Sequence, residues 1–202
     1  LPSFSESSTL LVVRDRFGHA LRAGLDLPRP VTCGPAEVTP ELVAGADQVV
    51  CVHAGHDSGL RDALDAVAYA QGVPSVGVEL LPARIVCGPV TIPGRTACYA
   101  CFEKRLRQHR AGDDGYDLDA ATRDLPEGFG PQHVAIARSF LAQALEEIRT
   151  GPSGLGGTVR AFDLVSGVPS SAGTLSVNGC RRCGGRFRER SDGSTVALSS
   201  LP

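Results

Sequence analysis

The fold is decided by residues 47–80, DQVVCVHAGHDSGLRDALDAVAYAQGVPSVGVEL. Asp47–Ala54 is an almost continuous apolar run of strand length, and Gly55 breaks it. Asp57 or Ser58 then caps a helix that runs to about Gln71. Leu60, Leu64, Val67 and Ala68 recur at helical spacing, and Gly72 stands where a C-terminal glycine belongs. Pro74–Leu80 is the next strand. A strand, a helix and a second strand at this spacing make a βαβ crossover, so the two strands are expected to be parallel neighbours.

Working outward, Leu10–Val13 reads as a buried strand and Val31–Cys33 as another. Thr39-Pro40-Glu41 starts a short helix, with Thr39 as cap and Pro40 at the first helical position, and Gly45 ends it. Downstream, Arg84–Ile92 is a strand interrupted by Gly88-Pro89. Pro89 has no N–H to give, so this strand is expected at an edge or bulged. Cys98–Arg110 opens with a cysteine pair and continues as a basic helix. Residues 111–130 hold Asp113, Asp114, Asp117, Asp119, Asp124 and Glu127 against Arg123, and read as a solvated crossover loop. Gln132–Arg149 is the longest helix. Two strands, Thr158–Val165 and Gly173–Val177, are joined through Ser166-Gly167. The expected fold class is α/β, a reduced Rossmann-like, mostly parallel sheet. Residues 10–190 are expected to form one domain between a flexible N-terminus (1–9) and a flexible tail (191–202).

A chain of 202 residues suits one such domain. With 42% hydrophobic and 21% charged residues it is not a wholly disordered protein. A net charge of −2 argues against bulk attraction to nucleic acid or membrane. No apolar run reaches the roughly 18 residues of a membrane span and no signal pattern opens the chain, so a cytoplasmic location is expected. There is no methionine, not even at position 1, as expected of a processed or partial gene product.

Four of the seven cysteines form two Cys-x-x-Cys pairs, Cys98/Cys101 and Cys180/Cys183. A two-residue gap lets a tight turn aim both thiolates at one point, and two such turns supply the four ligands of a closed, structural Zn²⁺ site. That site would staple the C-terminal extension to the body of the domain. Lys104, Arg105, Arg107, Arg110, Arg181, Arg182, Arg186, Arg188 and Arg190 crowd around it. Zinc with four thiolates is net −2, so charge balance accounts for them more simply than a nucleic-acid surface does. Cys33, Cys51 and Cys87 lie in or beside apolar strands and read as core thiols. His53, His56 and Asp57 sit at the end of a strand, where open α/β sheets bind ligands, and are candidate ligand-binding residues. A capping aspartate and two partly exposed imidazoles is the simpler alternative. No G-x-G-x-x-G follows the first strand, so no ATP site is expected.

Gly88-Pro89, then Ile92-Pro93-Gly94-Arg95-Thr96-Ala97-Cys98-x-x-Cys101, resembles the zinc-knuckle approach of the ThiF/E1-like superfamily. More narrowly, it resembles the E1-like partner domain of azoline-forming cyclodehydratases, which act with YcaO enzymes on ribosomal peptides. Val49–Ala54 with Asp57 and Gly72-Val73-Pro74, the long helix and the closing Cys180–Cys183 follow the same order over roughly residues 45–185. Residues 1–44 are short and lack the family's glycine-rich ATP loop, and they leave no room for its usual leader-binding module, so neither adenylation nor leader binding by that module is expected. The resemblance therefore implies a non-adenylating accessory subunit, with a YcaO enzyme and a precursor peptide as partners. It assigns no catalytic residue here and leaves a homodimer open. Two alternatives remain at this point: an E1-like adenylyl- or sulfur-transferase, and a zinc-containing nucleic-acid-binding module.

Overall fold

Thr9–Val13, buried at every position, forms β1, the strand around which the sheet is laid out. β2 (Pro30–Cys33) and β3 (Gln48–Ala54) pair with β1 on its two sides, and β4 (Ser75–Leu81) pairs with β3, all in parallel. β5 (Arg84–Cys87), β6 (Thr158–Asp163) and β7 (Pro169–Gly173) continue the sheet antiparallel, giving the order β2-β1-β3-β4-β5-β6-β7. The structure is a computed structural model that describes residues 8–27, 29–110, 128–154 and 156–184. Residues 1–7, the acidic stretch 111–127 and the tail from 185 onward, with Arg186, Arg188 and Arg190, lie outside the described residues.

The helices are α1 (Arg16–Ala23), α2 (Pro40–Ala44), α3 (Ser58–Ala70), α4 (Tyr99–Arg110) and α5 (Pro131–Thr150). Strand side chains alternate between faces. Leu11, Val13, Val50, Val52, Val76 and Val78 therefore pack with Phe17 and Leu21 of α1 and Ala137, Leu141 and Ala144 of α5. Leu10, Val12, Val49 and Cys51 point the other way, onto Val43 of α2 and Leu64 and Ala68 of α3. Covering both faces is what lets β4 bury all of its residues.

Thr39 caps α2 through the Leu42 N–H, with Pro40 in the first turn, and Asp57 caps α3 through the Leu60 N–H, both as the sequence predicts. The β3–α3–β4 crossover is parallel as expected. The expectation of a mostly parallel sheet holds only from β2 to β4. Past β4 the connection shrinks to Pro82-Ala83, and a two-residue turn can join only antiparallel strands. The strand at 84–92 is interior, flanked by β4 and β6, and it carries a bulge. Gly88 N–H donates to the Gly77 carbonyl in register with β5, but Thr91 pairs with Ser75, one residue out of step, so Pro89 and Val90 together oppose Val76.

Two further corrections concern elements. α1 is absent from the sequence reading because only Phe17 and Leu21 anchor an otherwise polar segment, and its cap, Asp15, follows an arginine rather than a turn. The last strand is Pro169–Gly173, not Gly173–Val177. Asp163 Oδ1 accepts from the Val165 and Ser166 N–H groups and from Ser166 Oγ, and this tight turn lets pairing resume at once. The strand is thus the small polar run after the turn, not the more apolar run beyond it.

Candidate functional site

All four paired cysteines are buried and converge. Cys98 Sγ lies 3.8 Å from Cys101 Sγ and 3.7 Å from Cys180 Sγ, and Cys101 Sγ lies 3.4 Å from Cys183 Sγ. All four sulfurs fall within 4.8 Å of one another. A disulfide needs about 2.05 Å, so these are thiols brought together without bonding. Four sulfurs placed about 2.3 Å from a central zinc stand roughly 3.8 Å apart along the edges of the tetrahedron, so the donor set fits a metal ion of that size. The Val177 N–H donates to Cys101 Sγ at 3.3 Å, but burial outweighs this bond and pushes the Cys101 thiol up to about 12. Hydrogen bonding from the Cys98 thiol holds Cys183 well below the usual thiol range, and the same bond, with burial, pushes Cys98 up.

Local turns aim the sulfurs. The Cys101 N–H donates to the Cys98 carbonyl as α4 begins, and the Gly184 N–H donates to the Cys180 carbonyl. Both turns are then fixed to α3 by one carboxylate. Asp65 Oδ2 accepts from the Tyr99 N–H at 3.2 Å and from Arg182 Nη1 at 2.8 Å. Arg182 also bonds both carboxylate oxygens of Asp62. Burial works against the Arg182 cation, but these two carboxylates outweigh it and raise its pKa. Arg105 bonds the Leu175 and Ser176 carbonyls. Arg182 and Arg105 thus serve as internal braces of the cysteine turns, through carboxylates and carbonyls rather than through the sulfurs themselves.

A second cluster lies at the C-terminal ends of the parallel strands. His53 is fully buried, not partly exposed, because its alternation on β3 points it under α3 beside its register partner Glu79. Its Nδ1 donates to the Gly55 carbonyl at 3.0 Å, and Nε2 lies 3.8 Å from Glu79 Oε1. His56 Nδ1 lies 3.6 Å from the other Glu79 oxygen. Burial lowers the His53 pKa. Burial pushes Glu79 up, but His56, Arg61 and His53 outweigh it and hold the carboxyl below its ordinary range. Arg61 of α3 completes the cluster, 3.6 Å from Glu79, 4.9 Å from the Tyr99 ring centre and bonded to the Gly88 carbonyl. Gly77 makes room for it, since a Cβ there would overlap the guanidinium. Arg61 and Glu79 escaped the sequence reading. An acid inside the apolar run SVGVELL was the one available signal for Glu79; the match of Arg61 to Gly77 has none.

Asp57 joins the surface part of this region. It caps α3 and pairs with Arg14 Nη1 at 2.5 Å, while Arg14 Nη2 bonds the Ala54 carbonyl. Arg14, Gly55, His56, Asp57, Ser58 and Gly59 line a shallow recess of about 250 Å³. The neighbouring N-terminus of α1, where a Rossmann fold would place a phosphate, receives the chain's own anion. Asp15 accepts from the Gly18 N–H at 3.0 Å and from the Ala54 N–H at 2.7 Å. A nucleotide phosphate there would meet this carboxylate, so these residues do not fit one. Cys51 and Cys87 are core thiols whose pKa burial pushes up to about 12, and burial raises Cys33 as well; none is an activated nucleophile.

No family model matches the sequence, and no curated protein matches it. Solved structures do share the fold. The heterocyclase TruD superposes with a TM-score of 0.54 at 17% identity over 93% of this chain and 29% of that one. The E. coli microcin synthetase McbBCD complex gives 0.57 at 12% identity over 89% and 70%. E. coli MccB, solved with succinimide, gives 0.58 at 15% identity over 88% and 60%. The chain thus spans about three tenths of the heterocyclase and three fifths of MccB. At these identities the likeness is one of fold. Among the described residues, no helix is long and apolar enough to cross a membrane.

Proposed function

We propose that this chain is a non-adenylating, E1-like accessory subunit of an azoline-forming cyclodehydratase complex that acts on ribosomal peptides. In this role it presents a precursor peptide to a YcaO enzyme, or organises that enzyme. Cys98, Cys101, Cys180 and Cys183 hold a structural Zn²⁺ that ties residues 180–184 to α3 and α4. The observation that carries the reading is the convergence of the two cysteine pairs in a fold shared with the heterocyclase TruD and the McbBCD microcin synthetase. His53, His56 and Asp57 then belong to the internal bracing of the strand ends, with His56 and Asp57 also facing the recess. The carboxylate of Asp15 at α1 favours an accessory role over adenylyl transfer.

The test is reconstitution. With a cognate YcaO enzyme, ATP and precursor peptide, adding this chain should increase ring formation, read by mass spectrometry as loss of one water per azoline. The chain alone should show no ATP–pyrophosphate exchange. Appreciable exchange would overturn the reading in favour of an adenylating enzyme.

A further inference from the structure

A line of polar groups runs between α3 and β4. Asp57, Arg61 and Asp65 stand four residues apart and so share one side of the helix and its cap. Beneath them Ser75, Gly77 and Glu79 share one face of β4. The two rows meet in order. Ser75 Oγ donates to Asp65 Oδ1 at 3.1 Å, Arg61 fills the space above Gly77, and Arg61 Nη1 lies 3.6 Å from Glu79 Oε1.

The line has a cysteine end and a recess end. At the first, Asp65 holds both cysteine turns, through the Tyr99 N–H and Arg182. Tyr99 stands between Cys98 and Cys101 in sequence and is itself buried. Its ring carries the Arg61 guanidinium 4.9 Å from the ring centre, a cation–π contact. At the other end Glu79 faces His53 with one oxygen and His56 with the other. His56 lines the recess of about 250 Å³, with Arg14, Asp57 and Ser58. Tyr99, Arg61 and Glu79 therefore form a continuous series of contacts from the cysteines to the recess.

We infer that metal binding at the four cysteines is transmitted to His56 in the recess, through Tyr99, Arg61 and Glu79. The inference rests on the metal reading above. The turn at Cys98–Cys101 is fixed through its sulfurs when they share an ion, and by its backbone bonds and Asp65 alone when they do not. Tyr99, inside that turn, shifts between the two forms. Arg61 is buried and charged, and a buried charge must keep its partners. A guanidinium displaced with the ring draws Glu79 with it, since the two charges are paired inside the domain. Glu79 is in turn the group that faces His56. Packed and paired side chains of this kind have few independent positions, so a change at one end reaches the other. The recess thereby presents a different surface to a ligand in the metal-loaded and metal-free forms.

The test records the NMR signals of isotope-labelled histidine rings in the intact chain, at one pH, with zinc bound and after a chelator has removed it. Zinc content is measured first. The His56 signals should shift on zinc removal while those of His19 on α1 and His133 on α5 stay in place. Tyr99→Leu removes the ring but keeps the backbone N–H that Asp65 accepts, and should abolish the His56 shift; Tyr99→Phe, which keeps the ring, should preserve it. Coupling between two sites is reciprocal, so the far end can also be altered and the near end read. Glu79→Gln should weaken zinc binding at least about fivefold in equilibrium competition with a chelator. Leu141→Ala, a cut in the core under α5, should leave that affinity unchanged. Zinc bound with an unmoved His56, a shift that survives Tyr99→Leu, or all three histidines moving together would overturn the inference. So would Glu79→Gln weakening zinc no more than Leu141→Ala does. A chain that binds no zinc would overturn the metal reading itself, and this inference with it.

Discussion

Asp65 on α3 and Arg182 inside the second cysteine pair meet at 2.8 Å, with the Tyr99 N–H from inside the first pair on the same carboxylate oxygen. One buried side chain therefore sets both cysteine turns against the body of the domain. Asp65→Ala would leave Arg182 with Asp62 alone and the Tyr99 N–H unpaired. Since Arg182 keeps Asp62, the loss is that of the bonds to Asp65 and of one buried N–H left unpaired, about 1–3 kcal/mol. The check is chemical denaturation of the metal-loaded chain. An Asp65→Ala midpoint equal to wild type would show that the turns do not depend on this clamp.

Gly77→Ala is expected to destabilise the fold by about 2–4 kcal/mol, although it adds a single methyl. The Arg61 guanidinium lies where that methyl would go, and Arg61 is held by Glu79, the Gly88 carbonyl and the Tyr99 ring. An Arg61→Ala background should absorb much of the added cost of Gly77→Ala, because the obstructed group is gone. Four denaturation curves complete this double-mutant cycle, and additivity would contradict the contact.

The strand-end cluster makes stability pH-dependent. Burial depresses the His53 pKa from its ordinary 6.5, so between the two values the unfolded chain binds a proton that the folded chain does not. Stability is therefore full above 6.5 and falls as the pH drops through that window. Glu79, also held below its ordinary 4.5, acts in the same direction: its contribution is present above 4.5 and lost as the pH falls through its folded value. Thermal melts should show decreasing midpoints from pH 7 to pH 5, and His53→Asn should flatten that slope. A slope unchanged in His53→Asn would remove His53 from the account.

Much of this architecture is legible in the residues because it is written in local chemistry. Thr39-Pro40 and Asp57 announce their helices through capping, and the run 47–80 announces a crossover through strand and helix periods. The Cys-x-x-Cys spacing announces a ligand turn, although nothing local says that the two turns meet. What stayed hidden depends on distant partners. α1 is held by two core side chains in a polar segment, β7 is placed by the turn at Asp163 and not by its own hydropathy, and Arg61 is explained only by the space above Gly77.

Asp15→Ala should cost about 2 kcal/mol, the upper range for losing a helix cap, because the Ala54 N–H loses its acceptor as well. Asp15→Asn, which retains an acceptor oxygen, should recover part of this. Equal melting points for Asp15→Ala and wild type would show that the carboxylate does not brace the strand ends.

The most direct test of the central claim is X-ray absorption spectroscopy with metal analysis on the purified chain. The account predicts one zinc per chain, bound by four sulfur ligands at about 2.3 Å, and loss of that signal when any one of Cys98, Cys101, Cys180 or Cys183 is changed to serine. A folded chain without metal, or one whose four cysteines are oxidised to disulfides, would contradict it.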